Sequence, residues 1–135
     1  MPTAVSLIRS QDLAASVQYA YAATAPKDAR LIFLAGACPL EKDGSIEDHG
    51  DFAAQAAKTL HNLRAALAAS GAGLEDVINT RVLVASASRE DLVTVWDVVR
   101  DAFGDHDAPS TLLGVTVLGY PGQLVEIEAV AAVVD

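Results

Sequence analysis

Four short stretches, LIFLA (31–35), VLVA (82–85), LLGVTVL (112–118) and AVAAVV (129–134), carry apolar residues at odd and at even positions alike. Successive side chains of a strand point to opposite faces, so a strand with water on one side keeps polar residues at one parity. A sheet built from these stretches therefore needs cover on both faces. Only two segments have the period of a covering helix. Between Asp51 and Ser70, Phe52, Ala56, Leu60, Leu63 and Leu67 form one stripe, and Gly71 supplies the stop. After Ser88, placed as an N-cap with Asp91 in the first turn, Leu92, Val95, Trp96, Val99 and Phe103 recur at helical spacing up to Gly104. Two helices cover one face, so the other calls for a second copy of the chain. A homo-oligomer is expected.

The remaining elements fall into place around that sheet. LIFLAG (31–36) ends in glycine and is bounded by Pro39 and the turn EKDGS, which reads as a buried strand. VINTRVLVA (77–85) is rich in β-branched residues; TLLGVTVLG (111–119) and LVEIEAVAAVV (124–134) are strands joined around Tyr120, Pro121 and Gly122. The first 30 residues are weakly patterned, with Tyr19 and Tyr21 alternating with alanine before PKDAR, and form either a strand pair or a strand and loop. The order predicts an α/β (α+β) sandwich: one mixed, mostly antiparallel sheet of about six strands, with two helices on one face. No linker divides the chain, so residues 1–135 are expected to be a single domain.

Charge and composition exclude several partners. A chain of 135 residues that is 52% hydrophobic buries roughly two-thirds of its unfolded surface. Its formal charge of −9 and its nine scattered basic residues oppose nucleic acid, whose non-specific affinity comes from clustered Lys and Arg. No apolar run reaches the ~18 to 20 residues of a membrane span, and the N-terminus lacks a basic segment followed by an apolar one. A cytoplasmic protein without membrane partners is expected. Cys38, the single cysteine, cannot close an internal disulfide and reads as a small buried thiol.

Candidate chemistry concentrates on the last strand. Glu126 and Glu128 share one face of it, and a buried carboxylate is costly unless paired, hydrogen-bonded or wet. Arg81, mid-strand in INTRVLV, is a candidate partner for either acid, as an alternative cation in a cleft or in a purely structural pair with Glu128. His49, His61 and His106 lack the spacing of a zinc site, and no metal is expected. Ser110 and Thr111 have no nucleophile elbow around them, and no glycine run has the spacing of a phosphate loop. Trp96 lies on the apolar stripe of its helix.

Taken in order, LIFLAGACPLEKDG, AAQAAKTLHNLRAALAASGAGLEDV, INTRVLV and PGQLVEIEAVA resemble the Rid/YjgF superfamily of reactive intermediate deaminases, also called L-PSP endoribonucleases, over about residues 17–134. The resemblance implies a chorismate-mutase-like sandwich that assembles as a homotrimer with clefts between subunits. It implies hydrolysis of small enamines or imines without cofactor or metal. In that cleft Glu126 matches the glutamate that positions water. Tyr19, with Tyr21 as rival, matches the cleft tyrosine, and Gly36 the glycine ending the cleft strand. Counting back from VEIE, the arginine that grips a substrate carboxylate falls on Ser110, with Thr111 and Leu112 beside it in the substrate-binding set. A serine hydroxyl offers one donor and no charge where a guanidinium offers a charged fork. The resemblance thus leaves two functional readings, a hydrolase of labile small molecules and a non-catalytic trimer that binds a small ligand or a protein. The endoribonuclease activity in the family's older name runs against the acidic charge.

Overall fold

The computed structural model describes residues 3–135. Its elements are β1 (Ser6–Ile8), β2 (Ala22–Thr24), β3 (Arg30–Phe33), α1 (Phe52–Ala69), β4 (Val77–Val84), α2 (Arg89–Phe103), β5 (Ser110–Gly114) and β6 (Val125–Val133), with a 3-10 turn at Leu74–Asp76 leading into β4. Two helices and about six strands are as expected, but the strands do not form the single sheet that the sequence suggests. The strands divide into a four-stranded sheet ordered β3-β6-β4-β5 and a separate two-stranded ribbon of β1 and β2. β6 runs antiparallel to both β3 and β4, while β4 and β5 are parallel and joined through α2. Among the described residues, no helix is long and apolar enough to cross a membrane.

Each helix starts for a local reason. The Asp51 carboxylate accepts from the Ala54 amide at 2.9 Å and caps α1, and Gly71, with φ +82°, lets the chain turn away after it. At α2 the expected cap is only half realised. Ser88 occupies the N-cap position but its hydroxyl makes no capping bond; its amide donates to Ser86 Oγ at 3.0 Å, and that hydroxyl in turn donates to Asp91 at 2.7 Å. The Asp91 charge still sits in the first turn, where the helix dipole favours it.

The core lies between the helices and one face of the sheet. Ala56, Leu60, Leu63 and Leu67 of α1 and Val95 and Val99 of α2 meet Ile32, Val82, Val84, Ile127 and Ala131, all of them buried. The register fixes the opposite face: Leu83 pairs with Glu126, Arg81 with both Glu128 and Thr111, and Phe33 with Val130. Among the described residues, no layer covers that face. Leu31 is 52% and Phe33 75% exposed there. The strand expected over 111–119 ends at Gly114, where β5 leaves the sheet; an added Cβ at Gly114 would lie 2.7 Å from the Ser86 carbonyl, so this close crossing requires glycine.

Candidate functional site

Glu126 sits on the uncovered face, half-buried, where β6 emerges from the turn at 120–124. Two donors from its own chain meet at one of its oxygens. The Cys38 thiol donates to Oε1 at 3.3 Å and the Gln123 amide to the same atom at 3.2 Å. The other oxygen, Oε2, lies over Gly36, where a Cβ would come within 2.5 Å of it. Gly36 therefore matters for the room it leaves, since its backbone does not take the left-handed conformation. Burial, and next the hydrogen bond and charge of Glu126, push the Cys38 thiol up from its ordinary value of 9.0 to about 11. At neutral pH it is a protonated donor.

The two loops that bring these groups together are tied down by α1. Gln55, fully buried, donates to the Asp48 and Gly122 carbonyls at 3.1 and 3.0 Å and accepts from the Leu124 amide at 2.8 Å. Asn62, two turns on, donates to the Cys38 and Leu40 carbonyls at 2.8 and 2.9 Å. Gln123 itself accepts from the Tyr120 amide and donates to the Val125 carbonyl. Gln55, Asn62 and Gln123 escaped the sequence reading, and Cys38, expected as a small buried thiol, is half-buried and donates to Glu126. A signal for two of them was present: Gln55, Thr59 and Asn62 run along the flank of the apolar stripe at helical spacing, too close to the core to be mere solvent residues.

The other expected site residues gather elsewhere. Tyr19, Ser110, Thr111 and Leu112 line one cavity of roughly 380 Å³ with Trp96, at the outer edge of β5. Gly36 and Glu126 do not line it. The Tyr19 ring stands edge-on to Trp96 at 6.3 Å and to Tyr21 at 5.9 Å, while the Tyr21 hydroxyl is committed to the Ala14 carbonyl at 2.6 Å. Of the two tyrosines, Tyr19 is the one that borders the β5 edge.

The structure also separates Ser110 from Glu126. Ser110 pairs with Thr80 on the helix side and accepts a hydrogen bond from its hydroxyl at 2.7 Å. Thr111, one residue on, is the β5 side chain on the same face as Glu126. Counting residues alone cannot see this, because one step along a strand reverses the face. Neither residue carries a charge. Arg81 Nη1 lies 3.6 Å from Glu128 Oε1, with both side chains about half exposed, so the cation between the two acids is engaged by Glu128.

Comparison with known proteins agrees with this architecture. Residues 10–133 match the family model described as endoribonuclease L-PSP. No curated protein matches the sequence. Among solved structures, a protein of the conserved Rid family from Yersinia pestis, YyfB, described as of unknown function, superposes with a TM-score of 0.88 at 28% identity, covering 96% of this chain and 99% of that one. A member of the YjgF/YER057c/UK114 family from Mycobacterium tuberculosis is 33% identical, with a TM-score of 0.65 and coverage of 96% and 99%. The yeast protein YEO7 gives 0.69 at 25% identity, covering 95% and 98%. With a family match over nearly its whole length and the same layering of sheet and helices, the chain belongs to the Rid/YjgF family, the group whose model is described as endoribonuclease L-PSP.

Proposed function

We propose that this chain hydrolyses a small reactive enamine or imine in clefts between the copies of a cytoplasmic homotrimer, without a cofactor, and that Glu126 orients the attacking water. One observation carries the reading: Glu126 Oε1 is held by two donors while Oε2, packed over Gly36, has no hydrogen-bond partner among the described residues. A carboxylate with one oxygen pinned can direct the other at a water within hydrogen-bonding reach. Water adds to the imine carbon, one of its protons passes through Glu126 to the nitrogen, and the carbinolamine hydroxyl then gives up the second proton to the nitrogen as the carbonyl forms and ammonia leaves. Assembly is supported by the uncovered sheet face, whose exposed Leu31 and Phe33 would be buried by neighbouring copies. It is supported as well by the separation of Glu126 from the Tyr19 cavity, which a neighbour can bring opposite one another.

The missing arginine shapes the substrate. With Ser110 turned to the helices and Thr111 uncharged, nothing on β5 offers a carboxylate a charged fork. A second reading, a trimer that binds a small ligand or a protein without turning it over, draws on the same vacancy. An endoribonuclease activity has the charge of −9 against it.

The test generates 2-aminoacrylate or 2-iminobutyrate in situ and follows its decay with wild type, Glu126→Ala and Thr111→Arg. Loss of catalysis in Glu126→Ala with a gain in Thr111→Arg supports the hydrolase. If all three proteins are inert, a binding role or a substrate without a carboxylate gains weight. Light scattering tests assembly separately: a stable monomer would remove the shared clefts.

A further inference from the structure

Beneath the N-terminal loop lies a larger cavity, of roughly 610 Å³, whose wall includes Arg9, Leu13, Val17, Tyr19 and Tyr21. It contains no residue of the Glu126 cluster and shares only Tyr19 with the cavity at the β5 edge. Asp107 lies outside this lining but anchors the segment that forms it at two points. The Asp107 carbonyl accepts from the Ala20 amide at 2.7 Å, fixing the backbone between the two tyrosines, and its carboxylate accepts from Arg9 Nη2 at 2.5 Å. The Arg9 side chain is nevertheless 56% exposed. Among the described residues its Nε and Nη1 have no hydrogen-bond partner, and neither has the Tyr19 hydroxyl. Arg9 and Tyr19 thus offer unused donors to an open cavity whose remaining lining is aliphatic and aromatic apart from Ser10 and Gln11.

We infer that this cavity is a binding site for a small organic acid, with Arg9 holding the carboxylate and the apolar body of the ligand lying against Leu13, Val17 and the tyrosine rings. The chemistry follows from the donors. A guanidinium anchored through one nitrogen keeps a second edge for an incoming carboxylate, and the anchoring acid orients that edge so that less side-chain entropy is lost on binding. Aliphatic and aromatic walls favour a ligand with an apolar or planar body over a bare inorganic anion. The ligand's own charge also sets it apart from the substrate proposed above, which needs no carboxylate. The site stands whether or not Glu126 is catalytic.

Phenylacetate is the probe and phenylacetamide, its uncharged counterpart, the control, both titrated into the full-length protein and followed by amide and indole NMR shifts and by calorimetry. Phenylacetate is expected to move the signals of residues 9–21 and the Trp96 indole, and to bind at least tenfold more tightly than the amide. Arg9→Gln should cost tenfold or more and Arg9→Lys less. Tyr19→Phe, which keeps the ring, should cost about threefold. Unchanged folded-state spectra of Arg9→Gln separate lost binding from lost structure; if that variant is perturbed, Tyr19→Phe and the phenylacetamide control decide. Equal binding of acid and amide, undiminished binding by Arg9→Gln, or shifts confined to residues outside 9–21 would each overturn the proposal. None of these readouts depends on imine hydrolysis, so the site and the proposed activity can fail independently.

Discussion

Around Glu126 the neighbouring donors are spent within the chain: Cys38 and Gln123 on the carboxylate, Gln55 and Asn62 on the loops that carry it. Around Tyr19 the walls are largely aromatic and aliphatic, and two of the polar groups that border the cavities, Arg9 and the Tyr19 hydroxyl, retain unused donors. The first corner has the construction of a group that must hold one orientation, the second that of a space that must accept something. Pre-organised polar groups are stiff because each member fixes the next, and a half-satisfied network in a low-dielectric site is expensive. An apolar cavity with a few free donors is cheaper to leave open to solvent. The two corners therefore should respond differently to substitution.

The largest effect is expected from Gln55→Leu, which leaves two backbone groups of the 120–124 turn and the Asp48 carbonyl without their partner; about 3 kcal/mol of stability should be lost, read as a lower midpoint in urea. Replacing Trp96 by Phe at the other corner should cost far less, because it keeps an apolar wall. A comparable loss in both would erase the contrast. Next, Gly36→Ala puts a methyl group 2.5 Å from Glu126 Oε2 and must displace the carboxylate. A shift of that size lowers the rate of a positioned reaction about 100-fold, with little change in folding; imine decay in single-turnover assays measures it.

A smaller effect is expected in the chemistry of the thiol. In the folded protein Cys38 keeps its proton up to about 11, whereas the unfolded chain releases it near 9.0, so the stability this group contributes is present below pH 9.0 and declines as pH rises through about 11. Iodoacetamide should consequently modify the folded protein slowly at pH 9. Glu126→Gln removes the neighbouring negative charge, and alkylation there should accelerate on the order of tenfold; an unchanged rate would mean that the two side chains do not interact in solution. The smallest effect belongs to Arg81→Ala. Its ion pair with Glu128 is long and half exposed, and the loss should stay under about 1 kcal/mol.

Much of the architecture was legible because it is written in local periods. The stripes of Phe52 to Leu67 and Leu92 to Phe103 and the apolar runs gave both helices and the four strands of the main sheet, while the weakly patterned first 30 residues left a strand pair as one of two alternatives. Glu126 and Gly36 were found through the resemblance, and they lie together. Less legible was the side of the sheet that each β5 residue takes. Ser110 and Thr111 are adjacent in sequence and opposite in space, and only the pairing of β5 with β4 assigns them. The ribbon of β1 and β2 standing apart from the main sheet was likewise beyond the reach of periodicity.

The sequence by itself determined the layers and the uncovered apolar face, because burial of apolar surface is non-directional and its pattern repeats every two or three to four residues. Tertiary structure alone decided which atoms meet. The thiol that reaches Glu126 is 88 residues away along the chain, and Gln55 holds a carbonyl 67 residues distant. A hydrogen bond demands a distance and an angle, and no local pattern encodes either.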